Sequence, residues 1–199
     1  MKTWIVKGMG LVVLAVGLVG SAVGTRGDDF QAEEGYTLLF NGKDLTGWEY
    51  HGTKLDGQTA TPDKRIEVID GVIVAQAKDA NGKGGIRNLF TVRQFPNNFH
   101  LKLEFRAGLK ADSGVYLRAV GKQLQVRDYI RRGERKQLKN FKDDDWNELD
   151  ITVTGNEAVC KCNGEMLETM KGLPATGGIG LQAETGKFEF RRIRVKELP

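Results

Sequence analysis

The chain is 199 residues long with a formal net charge of +4, a length that one hydrophobic core can serve without splitting into several domains. Its two cysteines and two histidines are too few for a disulfide framework or a histidine-rich metal cluster. Part of the excess charge sits in Lys2 and Lys7, and without them it falls from +4 to +2, too weak a bias to argue for a nucleic-acid partner.

In chain order, Lys2 and Lys7 precede an apolar run from Met9 to Val19 and then the small residues Gly20, Ser21, Ala22 and Gly24. This reads as a signal peptide over residues 1–24, and it predicts a secreted or periplasmic protein with no stable membrane span after cleavage. The apolar run is shorter than the roughly 20 residues a spanning helix needs, with an uncleaved anchor as the alternative. Residues 25–34 read as a short linker and residues 35–199 as one domain.

From there, alternating apolar residues are punctuated by Asn41-Gly42, Asp70-Gly71, Asn81-Gly82, Asn163-Gly164 and Gly177-Gly178. Such dipeptides mark hairpins. "IEVIDGVIVAQ" predicts two strands joined at Asp70-Gly71, and "NFHLKLEFRA" sets Phe99, Leu101, Leu103 and Phe105 against His100, Lys102, Glu104 and Arg106. Further strands are predicted at Gly114 to Ala119, Gln123 to Tyr129, Asn147 to Thr154, Ala158 to Cys162, Ile179 to Gln182 and Lys187 to Lys196. Helix is expected to be short or confined to the 130s, around "RRGERKQLKNF". The pattern predicts an all-β, two-sheet antiparallel sandwich of jelly-roll type. Its expected core includes Trp48, Phe99, Leu101, Leu103, Phe105, Val115, Leu117, Ile151, Val153 and Ile193.

Cys160 and Cys162, at i and i+2 on one strand, cannot bridge without strain and read as small buried thiols. Near the end, Phe188 and Phe190 fall out of step with Ile193 and Val195, and a bulge at Arg191-Arg192 would bring both pairs to the core. Arg191 is then either a ligand contact or a guard on an edge strand. "GIGLQA" matches the letters of a dinucleotide fingerprint but is followed by a turn rather than a helix, so it reads as a strand. Nucleophile-elbow, zinc-protease and phosphate-loop motifs are lacking. The basic run from Arg131 to Lys142 lacks interleaved aromatics and reads as a solvated loop.

"DSGVYLRAVGKQLQVRDY" carries the strongest functional signal. If segments 99–106, 114–120 and 123–129 form a meander and their apolar positions face the core, the opposite face gathers Glu104, Arg106, Tyr116, Arg118, Gln125 and Arg127. Three arginines on one surface repel unless a carboxylate or ligand offsets them. Planar arginine and amide donors suit sugar hydroxyls and oxyanions, and the alternative is a solvated face with ion pairs such as Glu104 with Arg118. Asp128 follows the core parity and reads as a buried or rim partner for an arginine.

The segments "GYTLLFNGKDLTGW", "EVIDGVI", "NFHLKLEFR", "DSGVYLR", "WNELDITVTG", "CNGE", "GGIGLQ" and "FRRIRVKEL", in this order, resemble the 3-keto-disaccharide hydrolase domain family. The resemblance implies a concanavalin-like jelly roll whose concave sheet holds a sugar, acting as a hydrolase or lyase/hydratase on 3-keto glycosides. The bacterial-envelope alternative is a non-catalytic carbohydrate-binding module. The implied ligand is an oligosaccharide or glycoside. No cofactor is indicated, although a divalent metal is compatible with the chemistry. On that reading Glu104 is the base, with Asp112 as the alternative acid. Arg106, Arg118 and Arg127 stabilise an enolate, and Tyr116, Gln125 and Arg191 contact substrate. The chain departs from the family at Asp112, where asparagine is usual, at Gln125, near which a carboxylate is expected, and at Arg191-Arg192.

Overall fold

The computed structural model describes residues 1 and 30–199; the remainder of the expected leader, and residues 25–29 of the expected linker, lie outside the described residues. Among the described residues fourteen strands form: β1 (Thr37–Leu38), β2 (Trp48–Tyr50), β3 (Thr53–Lys54), β4 (Ile66–Ile69), β5 (Val72–Gln76), β6 (Arg87–Thr91), β7 (Phe99–Ala107), β8 (Asp112–Leu117), β9 (Gln123–Arg127), β10 (Asn147–Thr154), β11 (Glu157–Cys162), β12 (Glu165–Lys171), β13 (Ile179–Ala183) and β14 (Lys187–Glu197). Among the described residues none is helical, and no helix is long and apolar enough to cross a membrane.

The strands pair antiparallel in two sheets. One runs β12-β11-β10-β7-β14-β5-β4 with β1 added beside β14, and the other runs β3-β2-β6-β13-β8-β9. Two of the expected hairpin turns have both central residues at positive φ: Asp70 (49°) and Gly71 (78°), and Asn163 (47°) and Gly164 (82°). That is the geometry whose twist matches the flanking strands, and asparagine, aspartate and glycine tolerate it. The inner faces of both sheets meet in one core. Trp48, Phe99, Leu101, Leu103, Phe105, Val115, Leu117, Ile151, Val153 and Ile193 all lie there without solvent exposure. Phe105 stacks on Phe188 at 5.6 Å between ring centroids, and the buried Trp48 indole donates to Leu39 O at 2.8 Å.

The final strand carries its bulge where the apolar rhythm breaks. Arg191 pairs with Glu104 and Arg194 with Lys102, so the register slips between them, and Arg192 takes a left-handed φ of 52°. Phe188, Phe190, Ile193 and Val195 are all buried as a result. Cys160 and Cys162 are free and buried, and burial pushes both thiols up to about 12.

Two expectations are corrected. The 130s fold as turns, not helix, and the basic side chains there are tied to carboxylates. Arg131 pairs with Asp128 and Asp144, Arg132 with Asp112 and Glu134, and Arg135 with Glu168. Segments 99–106, 114–120 and 123–129 are also not one meander. Strand β7 pairs with β10 and β14 in the larger sheet, while β8 pairs with β9 and β13 in the smaller one. The chain changes sheet at Gly108 to Ala111, where Gly108 N donates to Lys187 O and Ala111 N to Gly108 O. Alternation fixes which side chains face the core, but both sheets share that core. Strands of equal parity therefore present their polar sides to opposite surfaces.

Candidate functional site

This crossing divides the expected polar face. Glu104, Arg106 and Arg191 lie on the outside of the larger sheet, where they are committed to one another and to neighbours. Glu104 accepts from Arg191 Nε at 2.7 Å and from an Arg192 terminal nitrogen at 2.9 Å. Arg106 Nε donates to Glu189 at 2.6 Å. The Trp146 ring covers both Arg191 and Arg106, at 3.9 and 4.9 Å from their guanidinium carbons. Both Glu104 oxygens are engaged, one by Arg191 and the other by Arg192, so the expected base is tied into the ion pairs of the larger sheet.

Arg118 is likewise displaced from the expected surface. It follows β8 with φ 67°, which breaks the alternation, and its side chain turns inward to 6% exposure. There it donates to Gly155 O at 2.8 Å, Pro174 O at 3.0 Å and Asn97 O at 2.7 Å, tying three loops together. Burial lowers its pKa, and no carboxylate pairs with it among the described residues.

Asp112, Tyr116, Gln125 and Arg127 do come together, on the outer face of the smaller sheet. Asp112 lies opposite Arg127 and Tyr116 opposite Gln123 on the β8–β9 pair. Strand β13 continues the face with Gly180 beside Tyr116, and β6 with Phe90 beside Gly180 and Asn88 beside Gln182.

Two glycines open lanes between strands. A Cβ on Gly114 would lie 1.8 Å from Gln123 Nε2, because the Gln123 side chain crosses β8 there. It reaches Gln182 Oε1 at 2.6 Å, and Gln182 Nε2 in turn donates to the Tyr116 hydroxyl at 2.8 Å. A Cβ on Gly180 would strike the Phe90 ring at 2.5 Å, because Phe90 lies across β13. That ring stacks on Tyr116 at 5.5 Å and 27°. The floor is thus an amide relay and an aromatic pair, each needing a strand position without a side chain.

At the β9 end, Arg127 Nε donates to Asp112 at 2.7 Å and its terminal nitrogen to Glu134 at 2.9 Å, with Arg132 3.3 Å from Asp112. Glu184, just beyond β13, faces this cluster and accepts no hydrogen bond from a described residue. Burial, and then the charge of Asp112, raise its pKa above the ordinary glutamate value, against the pull of Arg127 and Arg132. Asn88 Oδ1 and Gln125 Oε1 are buried without a hydrogen-bond partner among the described residues, so the sheet keeps unused acceptor capacity. No group of three or more His, Cys, Asp or Glu side chains is arranged to hold a metal among the described residues.

Sequence reasoning missed Gln123, Gln182, Glu184, Asn88 and Phe90. The signal for the β13 residues was present in "GIGLQAE": once this is a strand with Ile179, Leu181 and Ala183 inward, Gly180, Gln182 and Glu184 point outward.

A family model described as a 3-keto-alpha-glucoside-1,2-lyase-like domain matches residues 35–196. Among solved structures, the chain is similar to two from Parabacteroides distasonis, each provisionally named a glycosyl hydrolase. They are 21% and 20% identical, both with a TM-score of 0.62, over 83% and 82% of this chain and 95% and 99% of theirs. A Bacillus licheniformis beta-glucanase is 9% identical with a TM-score of 0.55, over 82% of this chain and 97% of its own. At these identities the likeness shows a shared jelly-roll fold. No curated protein sequence matches the chain.

Proposed function

The chain belongs to the 3-keto-alpha-glucoside-1,2-lyase-like domain family, and from that premise we propose that it cleaves 3-keto glucosides on the outer face of its smaller sheet. The carbonyl at C3 of such a sugar acidifies the C2 hydrogen. A base removes that proton, the electron pair forms the enolate, and the enolate expels the C1 oxygen, which leaves as an alcohol after taking a proton from water. Addition of water at C1 then completes a hydrolysis. The sequence needs a base and cationic groups near the enolate oxygen, and no carboxylate nucleophile.

Glu184 is the proposed base, because it stands just beyond β13 beside the Asp112, Arg127 and Arg132 cluster with no hydrogen-bond donor among the described residues, and burial raises its pKa as well. A carboxylate that binds protons more tightly is the stronger acceptor, and a catalytic pKa closer to the working pH serves proton transfer. Asp112 raises that pKa and fixes Arg127 and Arg132, whose guanidinium groups are the cations nearest the developing charge. Gln123, Gln125 and Asn88 meet sugar hydroxyls, and Tyr116 and Phe90 form the apolar floor under the ring. A non-catalytic sugar-binding role for the same face draws support from Gln125, which stands where the family resemblance leads one to expect a carboxylate. Export, with residues 1–24 removed, belongs to the same proposal, and the intact mass of protein recovered from the cell envelope tests it.

The decisive assay compares a 3-keto glucoside with its unoxidised parent. Release of alcohol is expected from the keto sugar alone. Glu184→Gln should slow it by about a hundredfold or more while leaving substrate affinity within a few-fold. Undiminished turnover in that variant removes Glu184 as base. Binding without any turnover by the wild type favours the binding module.

A further inference from the structure

Beside the candidate face, Glu49, His51, Asn88, Phe90, Ile86 and Val120 line one hollow. It is continuous with the proposed sugar site, because Asn88 and Phe90 belong to both. Its walls are unusual for an exposed surface. Ile86, in the loop ahead of β6, is 52% exposed, and Val120, in the β8–β9 turn, is 60% exposed. A single exposed aliphatic residue is ordinary. Here two, from loops 34 positions apart in the chain, line the same hollow as an aromatic ring, Phe90. The Phe90 ring is held flat across β13 by the absence of a side chain at Gly180 and by its stack on Tyr116.

Resting on the reading that the amide and carboxylate end of this face holds the keto sugar, we propose that the hollow is an aglycone subsite selective for an apolar, planar group such as an aromatic ring. A second pyranose would need donors and acceptors all around its rim; Glu49, His51 and Asn88 supply them on part of it, but the Ile86 and Val120 walls offer none. An aromatic aglycone instead covers these two side chains and stacks on Phe90, so that all three leave water together.

The test compares phenyl and methyl 3-keto-glucoside, and phenol alone, by calorimetry or ligand-observed resonance. Both proteins carry Glu184→Gln so that neither glycoside is consumed: one is otherwise the wild type, and the other adds Ile86→Ser/Val120→Ser, its folding checked by its melting curve. The phenyl glycoside is expected to bind the first about tenfold more tightly than the methyl one, the gain from burying roughly half an aromatic ring. In the second the ratio should fall to near one. Equal affinities in the first, or a preference that survives in the second, overturn the aglycone subsite. If neither glycoside binds but phenol binds the first and not the second, the apolar subsite stands and the sugar reading fails. Absence of binding by all three overturns both.

Discussion

Arg118 illustrates how one charged side chain can hold three loops together. Its guanidinium donates to three backbone carbonyls from the loops at Asn97, Gly155 and Pro174, and its own φ of 67° is a conformation that few residues other than glycine adopt. Gly177 packs so closely beneath it that a Cβ there would lie 1.7 Å from Arg118 O. Removing the side chain strands buried acceptors, each at a cost of about 1–3 kcal/mol. Arg118→Ala is therefore expected to destabilise the domain by about 3 kcal/mol and lower Tm by roughly 6–12 °C for a chain of this size. Sugar affinity measured well below that Tm should be unchanged. A melting curve that coincides with the wild type would show that the three carbonyls find other donors. The sequence made Arg118 look functional because alternation was extended one residue past the end of β8. What ended it was a backbone dihedral, which residue types do not reveal.

At the scale of the strand, pattern reading succeeded wherever two faces differ in polarity. The bulge in β14 was legible because Phe188, Phe190, Ile193 and Val195 cannot all face inward on an unbroken strand. The face of β13 was equally legible but went unused, since Gly180 and Gln182 gain meaning only beside Phe90 and Gln123, whose strands lie far away in sequence. The coupling of Gly180 to Phe90 can be measured. With a Cβ 2.5 Å from the ring, Gly180→Ala should push Phe90 off Tyr116 and cost about 1–3 kcal/mol, as overpacking does. Phe90→Ala clears the space, so the double variant should be more stable than the sum of the two single losses, by about 1 kcal/mol or more in a mutant cycle. Strict additivity would mean that the ring does not hold its position across β13.

At the scale of the whole molecule, the two sheets share one core and turn two chemically different faces outward. The larger sheet's face carries paired charges, with Glu104 between Arg191 and Arg192, whereas beside the smaller one Glu184 stands without a hydrogen-bond donor among the described residues. Which sheet a strand joins depends on the turn at Gly108 to Ala111 and on pairings across the chain, so core parity alone merged the two faces into one. Glutamine at each carboxylate separates them. Glu104→Gln weakens two charged hydrogen bonds and is expected to lower stability by about 1–3 kcal/mol, with no effect on sugar binding. Glu184→Gln should act in the opposite sense. Because the folded-state pKa of Glu184 is raised, ionising it costs stability as pH rises from the unfolded value of 4.5 through the folded one. The variant should therefore match the wild type below pH 4.5 and be more stable than it near neutrality, while losing turnover. Urea unfolding of both single variants and the double at pH 4 and pH 7 checks this, with additivity within about 0.5 kcal/mol expected for residues on separate sheets. Strong coupling between the two substitutions, or loss of sugar binding in Glu104→Gln, would place the site on the larger sheet instead.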